Sequence, residues 1–564
     1  MTVMKLHTPG SRCWTFLGIG WPYLGSILSG IFAGLAFPLP GWSGLAWLAP
    51  GVLLCSALGS DGAKVFRIGY LAGLIQYLIS LRWLLLIPFP SGAVAGWLAL
   101  SAYSALFWGL ALWSSLSLVR FFTSGKTTQG WSDQSRHLCG LSWFRRSTIW
   151  FLMAAIFTGC EVLRGRLLTG FPWNFYGITQ WQNIALIQIS SITGVFGVSF
   201  LIHWVSFGLL GACLHLKDAA RSRLAWTSDL RVPLVGLLLV LGWGFQRVMQ
   251  PVPKGTDVSI ALVQPSIPQT LIWDDAANPE RFAKVFALTQ TAIGLRPEAV
   301  VWPEGSLPDI TPEQFNQIVR LLGPSESWWL FGTGYGRLVD GHPQHYNAGL
   351  LVDSLGNVRD RYHKRRLVIF GEYIPFEHTL PFMKWLTPIG SSFTPGTNAS
   401  AFRIGRDTNT VVSPVICFED MFPETTRSHV APDTDFLLEL TNDGWFGESS
   451  AQWQHCAGAA FRSVENGIPL VRCANNGLTC WLDEYGRMRD LLGRGSDVHA
   501  PGVLLIQLPR RAEGFVRPLT WYHEHGDVFG WGCVMVFVFG GVHGVWVGRS
   551  EKQKRRSQAA TPMG

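Results

Sequence analysis

Charge is what this chain has least of. Of 564 residues only 15% are charged, 45 basic against 37 acidic, where a soluble domain carries about 25%. That deficit excludes an ordinary water-soluble protein. The surplus of eight positive charges would fit a nucleic-acid partner only if it formed one basic surface. Here the basic residues fall between apolar segments, so nucleic acid is excluded and a membrane is favoured. The ten cysteines include no CxxC pair and no His/Cys cluster at zinc spacing, which argues against a metal site. No organic cofactor is implied, and no cleavable leader is evident. The first apolar stretch, from about Gly18, is as long as a bilayer span and reads as a retained helix.

What is abundant is apolar and aromatic: 48% hydrophobic residues, with 27 Trp and 35 Phe. Stretches near the roughly 20 residues a spanning helix needs occur at 18–37, 41–58, 67–88, 93–119, 147–164, 185–215 and 232–249, with one more at 528–548. Between 251 and 510 charges become regular, and short β-rich runs alternate with turn signals. The expected organisation is therefore a seven-helix membrane domain over 1–250, a catalytic domain over 251–510, and a last helix with a basic tail over 511–564. Lys64, Lys126, Arg136, Arg145, Arg146, Lys217, Arg221, Arg223, Arg231 and the tail residues Lys552, Lys554, Arg555 and Arg556 all fall on one predicted side. The connections 38–40 and 89–92 carry no Lys or Arg. By the positive-inside rule the N-terminus is cytoplasmic and the middle block lies outside. Arg164 and Arg166 are the exceptions, expected either to meet lipid phosphates or to snorkel from a helix end.

Within the middle block, Val258–Val263, Ala299–Trp302, Trp328–Gly332 and Val411–Ile416 read as strands, and Ser354-Leu355-Gly356-Asn357 as a hairpin turn. Glu304, Lys364 and Cys417 each stand at or just beyond a strand end, where α/β folds gather catalytic groups. The residue types suit acyl transfer. A thiol is a weak nucleophile until deprotonated, a carboxylate can take its proton, and a lysine ammonium can hold thiolate and oxyanion.

The segments Trp302-Pro303-Glu304, Tyr362-His363-Lys364 running on to Gly371-Glu372-Tyr373-Ile374-Pro375-Phe376, and Ile416-Cys417-Phe418-Glu419-Asp420 resemble the carbon-nitrogen hydrolase (nitrilase) superfamily. Within it they are similar to the apolipoprotein N-acyltransferases of bacterial lipoprotein maturation. The likeness extends to Gln264–Gln269 with Trp273-Asp274, Thr441–Gly447, Gln454-His455, Arg462, Glu465 and Arg472–Gly477. In the membrane half it takes in Gly170–Trp173 and Gly194–Gly197.

That resemblance implies an αββα sandwich beside about eight transmembrane helices in a bacterial inner membrane, with the catalytic domain on the periplasmic side. It implies acyl transfer from a membrane glycerophospholipid, through a thioester on Cys417, to the amine of a diacylglyceryl-cysteine apolipoprotein. Glu304 would be the general base and Lys364 the oxyanion partner. Glu372 would orient the lysine or shuttle protons, Glu419 would hold the cysteine loop, and Trp273 and Trp445 would line the site. Phe418 stands where the family commonly has Tyr, and Gly444 where Ala is common.

Plainer readings accompany each residue. Cys417 could be a buried thiol, Lys364 part of a solvated basic run with Arg365 and Arg366, and the two tryptophans core. Cys456, Cys473 and Cys480 read as buried thiols. The apolar segment Phe376–Gly396, with Leu380, Phe382, Met383, Trp385 and Leu386, is expected to be a lid or a membrane-dipping loop, or else a buried loop. Two other functions compete: a membrane-anchored amidase, and a transporter with a regulatory domain. The transporter needs charges paired within the spans, where Glu161 is the one acidic candidate.

Overall fold

The computed structural model describes residues 20–122, 130–217, 228–250 and 254–559, except 309, 340, 378, 388, 406–408 and 513–514. Lys126, Arg221 and Arg223, which help set the expected orientation, lie outside the described residues, as do the side chains of Lys217, Leu386 and the basic tail.

Among the described residues, four helices are long and apolar enough to cross a membrane: Pro90–Phe122, Trp143–Arg164, Val195–Leu216 and Ser228–Val248. Shorter apolar helices stand at Trp21–Leu35, Ser43–Ala57, Ile184–Thr193 and Val528–His543. Three expected spans are not continuous. The stretch 41–58 opens as a 3-10 helix, Ser43–Trp47, and becomes α-helical at Ala49, where Pro50 has no N–H to lose in a first turn. The stretch 67–88 is α-helical over Gly62–Ser80 and continues as a 3-10 turn over Arg82–Leu86. The stretch 185–215 breaks into two single turns, Ile184–Ile187 and Ser190–Thr193, before the helix that starts at Val195. Gly194 makes that break at φ +66°, a backbone a side chain would disfavour. The expected loop 120–146 holds a helix of its own, Trp131–Gly140.

Arg164 and Arg166 correct the expectation more sharply, because neither reaches for lipid. Arg164 is buried and donates to the carbonyls of Phe171 (2.7 Å), Trp173 (2.8 Å) and Asn174 (3.2 Å). Arg166 pairs with Asp527 and lies 3.9 Å from Glu424. A buried guanidinium needs several acceptors, and the turn after helix Trp143–Arg164 supplies them.

From Lys254 the chain builds two six-stranded sheets. The first contains β1 (Lys254–Gln264), β2 (Ala299–Trp302), β3 (Trp328–Val339), β4 (His342–Val352), β5 (Val358–His363) and β12 (Gly502–Arg511), in the order β12-β1-β2-β3-β4-β5. The second contains β6 (Phe402–Ile404), β7 (Thr410–Ile416), β8 (Phe436–Thr441), β9 (Leu470–Ala474), β10 (Cys480–Leu482) and β11 (Met488–Leu491), in the order β11-β10-β9-β8-β7-β6. The central strands β1-β2-β3 and β7-β8-β9 are parallel. Strands β2, β7, β8 and β9 are buried along their whole length, so β2 reads as an unbroken apolar run and the other three as mostly apolar rather than alternating.

Ile260, Leu262, Val301, Leu330, Ile416, Leu438 and Val471 fill the layer between the sheets. Helices Asn278–Gly294 and Pro312–Leu322 cover the first sheet through Val285, Ile318 and Trp329. Helix Ser450–Asn466 covers the second, and its core is continuous with that of the membrane helices. Gln452, Gln454, His455, Arg462 and Glu465 on this helix are all buried and bond to other groups of the protein. The turn at 354–357 forms as expected, with Asp353 Oδ1 accepting from the amides of Leu355 and Asn357.

Candidate active site

Three strand ends converge. Glu304 lies two residues past β2, Lys364 directly follows β5, and Cys417 directly follows β7. Cys417 has φ +51°, an uncommon backbone for a non-glycine residue that costs about 1–3 kcal/mol and clusters at functional sites. The sharp turn it makes carries the thiol off the strand end.

The charged groups are tightly knit. Lys364 Nζ donates to Glu304 Oε1 at 3.1 Å and to Glu372 Oε1 at 2.8 Å. Asn347 Nδ2, on β4, bridges the same two oxygens at 2.6 and 2.7 Å. The backbone N–H of Asn442 donates to Glu304 Oε2 at 3.1 Å, and that of Val368 to Glu372 Oε2 at 2.8 Å. Burial works against the Lys364 charge, but Glu304 and Glu372 outweigh it and hold the ammonium well above the ordinary lysine range. Burial, and then the Glu304 charge, push the Cys417 thiol well above its ordinary range, against the pull of Lys364. Both shifts favour a neutral Cys417 thiol beside a charged Lys364.

Glu419 is fully buried and ties the cysteine loop to the lysine loop. It accepts from the amides of Ile416 (2.8 Å), Arg365 (2.7 Å) and Arg366 (3.1 Å), and from the Tyr362 hydroxyl (2.7 Å). Arg365 and Arg366 are half-buried or exposed while Lys364 points inward, so the basic run is solvated only after its first member.

Trp273 and Trp445 meet edge to face at 5.2 Å. Neither is core: Trp273 is 39% exposed and Trp445 half-buried. Short stretches of chain link both to residues that bond one another or Glu304. Gln269, four residues before Trp273, accepts from Asn442 Nδ2 at 2.8 Å, and Asn442 is three residues before Trp445.

A second aromatic cluster joins the catalytic domain to the membrane helices. Trp173, on the turn that Arg164 holds, stacks with Phe418 at 6.1 Å and lies 4.9 Å from Trp83. Trp83 in turn lies 4.5 Å from Phe446. The Gln454 carbonyl accepts from both indoles, Trp83 at 3.1 Å and Trp173 at 2.8 Å. Phe418 thus has an apolar use where a tyrosine hydroxyl would need a partner.

Asn347, Asn442 and Trp83 were not singled out individually in the sequence. Asn347 and Trp83 lack a local signal, because each matters only through what the fold sets opposite it. Gly332 is another such position. A Cβ there would come within 2.7 Å of Glu304 Cα, so the glycine lets β3 pass close behind Glu304.

Behind the cysteine lies a buried ionic cluster. Arg472 meets Glu439 at 2.5 Å, Asp443 at 3.2 Å and Asp420 at 3.3 Å. His455 reaches Asp420 and Asp443, each at 2.8 Å. Burial opposes charge on His455, but the two aspartates hold its pKa well above the ordinary value. Asp420, Glu439 and His455 offer ligand atoms within 4.8 Å of one another, and Arg472 supplies positive charge to both carboxylates from within the chain.

The segment after Glu372 is not a buried loop. Phe382 is 51% and Trp385 81% exposed on a short 3-10 helix, Pro381–Leu386. Its returning end is tied to the site, since the amides of Phe393 and Gly396 donate to the carbonyls of Glu372 and Lys364, each at 2.8 Å.

Residues 29–208 match the family model of the apolipoprotein N-acyltransferase N-terminal domain, and residues 259–514 that of the carbon-nitrogen hydrolases. The chain is 32% identical to an apolipoprotein N-acyltransferase of Geobacter metallireducens, over 91% of this chain and 93% of that one. It is 29% identical to one of Caulobacter vibrioides, over 89% and 91%. Among solved structures, an amidase from Nesterenkonia sp. AN1 aligns at 17% identity and a TM-score of 0.34, over 46% of this chain and 94% of that one. The long apolar helices and these relatives together mark a membrane protein. The chain belongs to the apolipoprotein N-acyltransferase family.

Proposed function

We propose that this enzyme moves a fatty acyl chain from a membrane glycerophospholipid to the N-terminal amine of a diacylglyceryl-cysteine apolipoprotein. The observation that carries the reading is the convergence of Glu304, Lys364 and Cys417 beneath an aromatic cluster built jointly with the membrane helices. Cys417 Sγ attacks the ester carbonyl as its proton passes to Glu304, and Lys364 stabilises the oxyanion. The intermediate collapses, the lysophospholipid oxygen leaves with the proton from Glu304, and a thioester remains. The acceptor amine then attacks the thioester, Glu304 carries the amine's proton to the departing sulfur, and the free thiol returns. Glu372 and Asn347 position Lys364 and Glu304, Glu419 positions the cysteine loop, and Trp273 and Trp445 line the approach.

Eight passes with the catalytic domain on the periplasmic face of the inner membrane fit the packing. Arg146 and Asp229 pair at 2.8 Å, which puts the starts of helices Trp143–Arg164 and Ser228–Val248 on one face. Their other ends lead to the Trp173 turn and to β1. That pair joins helix ends rather than a transport path, and Glu161 caps the Tyr176 amide, so a transporter gains no support.

The test is to incubate purified protein with a fluorescent phospholipid and a diacylated peptide. Acyl transfer to the peptide amine, with one acyl adduct on the Cys417 peptide by mass spectrometry, is expected, and Cys417→Ala should abolish both. Amide hydrolysis without transfer would favour the amidase, and full transfer by Cys417→Ala would overturn the mechanism.

A further inference from the structure

A cavity of about 520 Å³ has none of Glu304, Lys364 and Cys417 among its lining residues. Its walls come from the last turn of helix Ser228–Val248, the turn between β10 and β11, and the connection from β12 to the final helix. Two guanidiniums face it. Arg517 is more than nine-tenths buried, and its Nε has no hydrogen-bond partner, although one terminal nitrogen donates to the Gly467 carbonyl at 3.3 Å. Arg247 donates to the Ser191 hydroxyl and lies 5.8 Å from the Trp243 ring. Among the described residues Glu484 is the one carboxylate on the wall, so two cations stand there against one anion. Burial lowers the pKa of Arg517 against the raising effect of Glu484. An anion in the cavity would offset that cost of burial.

The position of the cavity says which anion. Arg247 stands in the last turn of a candidate span whose most apolar stretch is only 22% buried within the protein, which leaves most of that stretch open to lipid. Phe245 and Met249 flank Arg247 and are exposed, while Trp243 and Trp521 line the cavity, and indoles are enriched at membrane–water interfaces. A cavity walled by the last turn of a span lies near the headgroup layer when that helix crosses a bilayer. A phosphodiester carries a negative charge, which suits the positive excess of the described wall, and presents oxygens suited to the guanidinium fork.

We propose that this cavity binds the phosphate of a membrane phospholipid headgroup, a lipid held there rather than consumed. The occupant seats the last turn of helix Ser228–Val248 against the catalytic domain. The shared chemistry is phosphate, so free phosphate is the competing source.

The test uses Cys417→Ala protein in detergent, where turnover is blocked, against the same protein also carrying Arg247→Gln and Arg517→Gln. The probes are dioctanoyl-phosphatidylglycerol, dioctanoylglycerol with the same tails and no phosphate, and inorganic phosphate, with retained adducts counted by native mass spectrometry. One phosphatidylglycerol adduct should weaken by about ten-fold or more in the double-glutamine protein, while dioctanoylglycerol binding stays the same. Failure of millimolar inorganic phosphate to displace that adduct supports the lipid source, and displacement by it overturns that source. Equal retention of phosphatidylglycerol by both proteins overturns the site itself. If the double-glutamine protein does not fold, Glu484→Gln removes the opposing carboxylate and should tighten the adduct several-fold. Unchanged retention there also overturns the proposal.

Discussion

Replacing Glu304 with Gln separates two effects that a simple loss of activity would merge. In the folded protein Glu304 Oε1 accepts from Lys364 and Asn347, and Oε2 from the Asn442 amide. All three partners are donors, while a glutamine offers one acceptor oxygen and one N–H₂. At least one donor must then face another, at a cost of about 1.5–3 kcal/mol if the lost bond is to the ammonium. With no group to take the thiol proton, acyl-enzyme formation should slow by about 100- to 10,000-fold. The resting thiol should change in the opposite sense. The Glu304 charge holds the Cys417 pKa up, second only to burial, so removing it should move that pKa down. The assay is twofold: trapping of the acyl-enzyme with a labelled phospholipid, and iodoacetamide alkylation of Cys417 across alkaline pH. The variant should alkylate at lower pH than the parent while acylating far more slowly. An alkylation profile that moves to higher pH, or acylation within ten-fold of the parent, would refute Glu304 as base.

Three further outcomes are expected. Gly332→Ala places a Cβ within 2.7 Å of Glu304 Cα, so β3 or the base must move; acylation should fall while the fold loses about 1–3 kcal/mol, and parental acylation rates would remove the close-packing argument. Phe382→Ser with Trp385→Ser should weaken phospholipid use strongly but leave the melting temperature near the parent's, because both rings are exposed and an acyl tail in water costs about 0.8 kcal/mol per methylene. A small soluble thioester should still acylate Cys417 in that variant, and joint loss of stability and of both reactions would make the segment ordinary core. Reporter fusions after Thr128 and Lys217 should read as cytoplasmic and one at Gly356 as periplasmic, a cytoplasmic signal at Gly356 being incompatible with a lipoprotein substrate outside.

The sequence alone carried the chemistry that is local. Trp302-Pro303-Glu304, the run through Lys364 to Glu372, and Ile416-Cys417 are short segments. Their apolar strands and turn residues act within a few positions, so the strand ends and the groups they deliver could be read directly. Length and apolarity likewise marked Pro90–Phe122 and Ser228–Val248. Tertiary structure decided what depends on neighbours distant in the chain. Hydropathy cannot show that Ser80 ends a helix and turns Trp83 toward Gln454, 371 positions away. Nor can it show that Arg164, whose charge suggested lipid, organises the Trp173 turn instead. A guanidinium looks the same in sequence whether it meets a phosphate or three carbonyls. The choice rests on which acceptors the folded backbone brings within about 3 Å. Asn347 bridges Glu304 and Glu372 only because β4 runs beside β5, and Gly332 is required only because β3 passes behind Glu304. Sheet order made both of those residues part of the site.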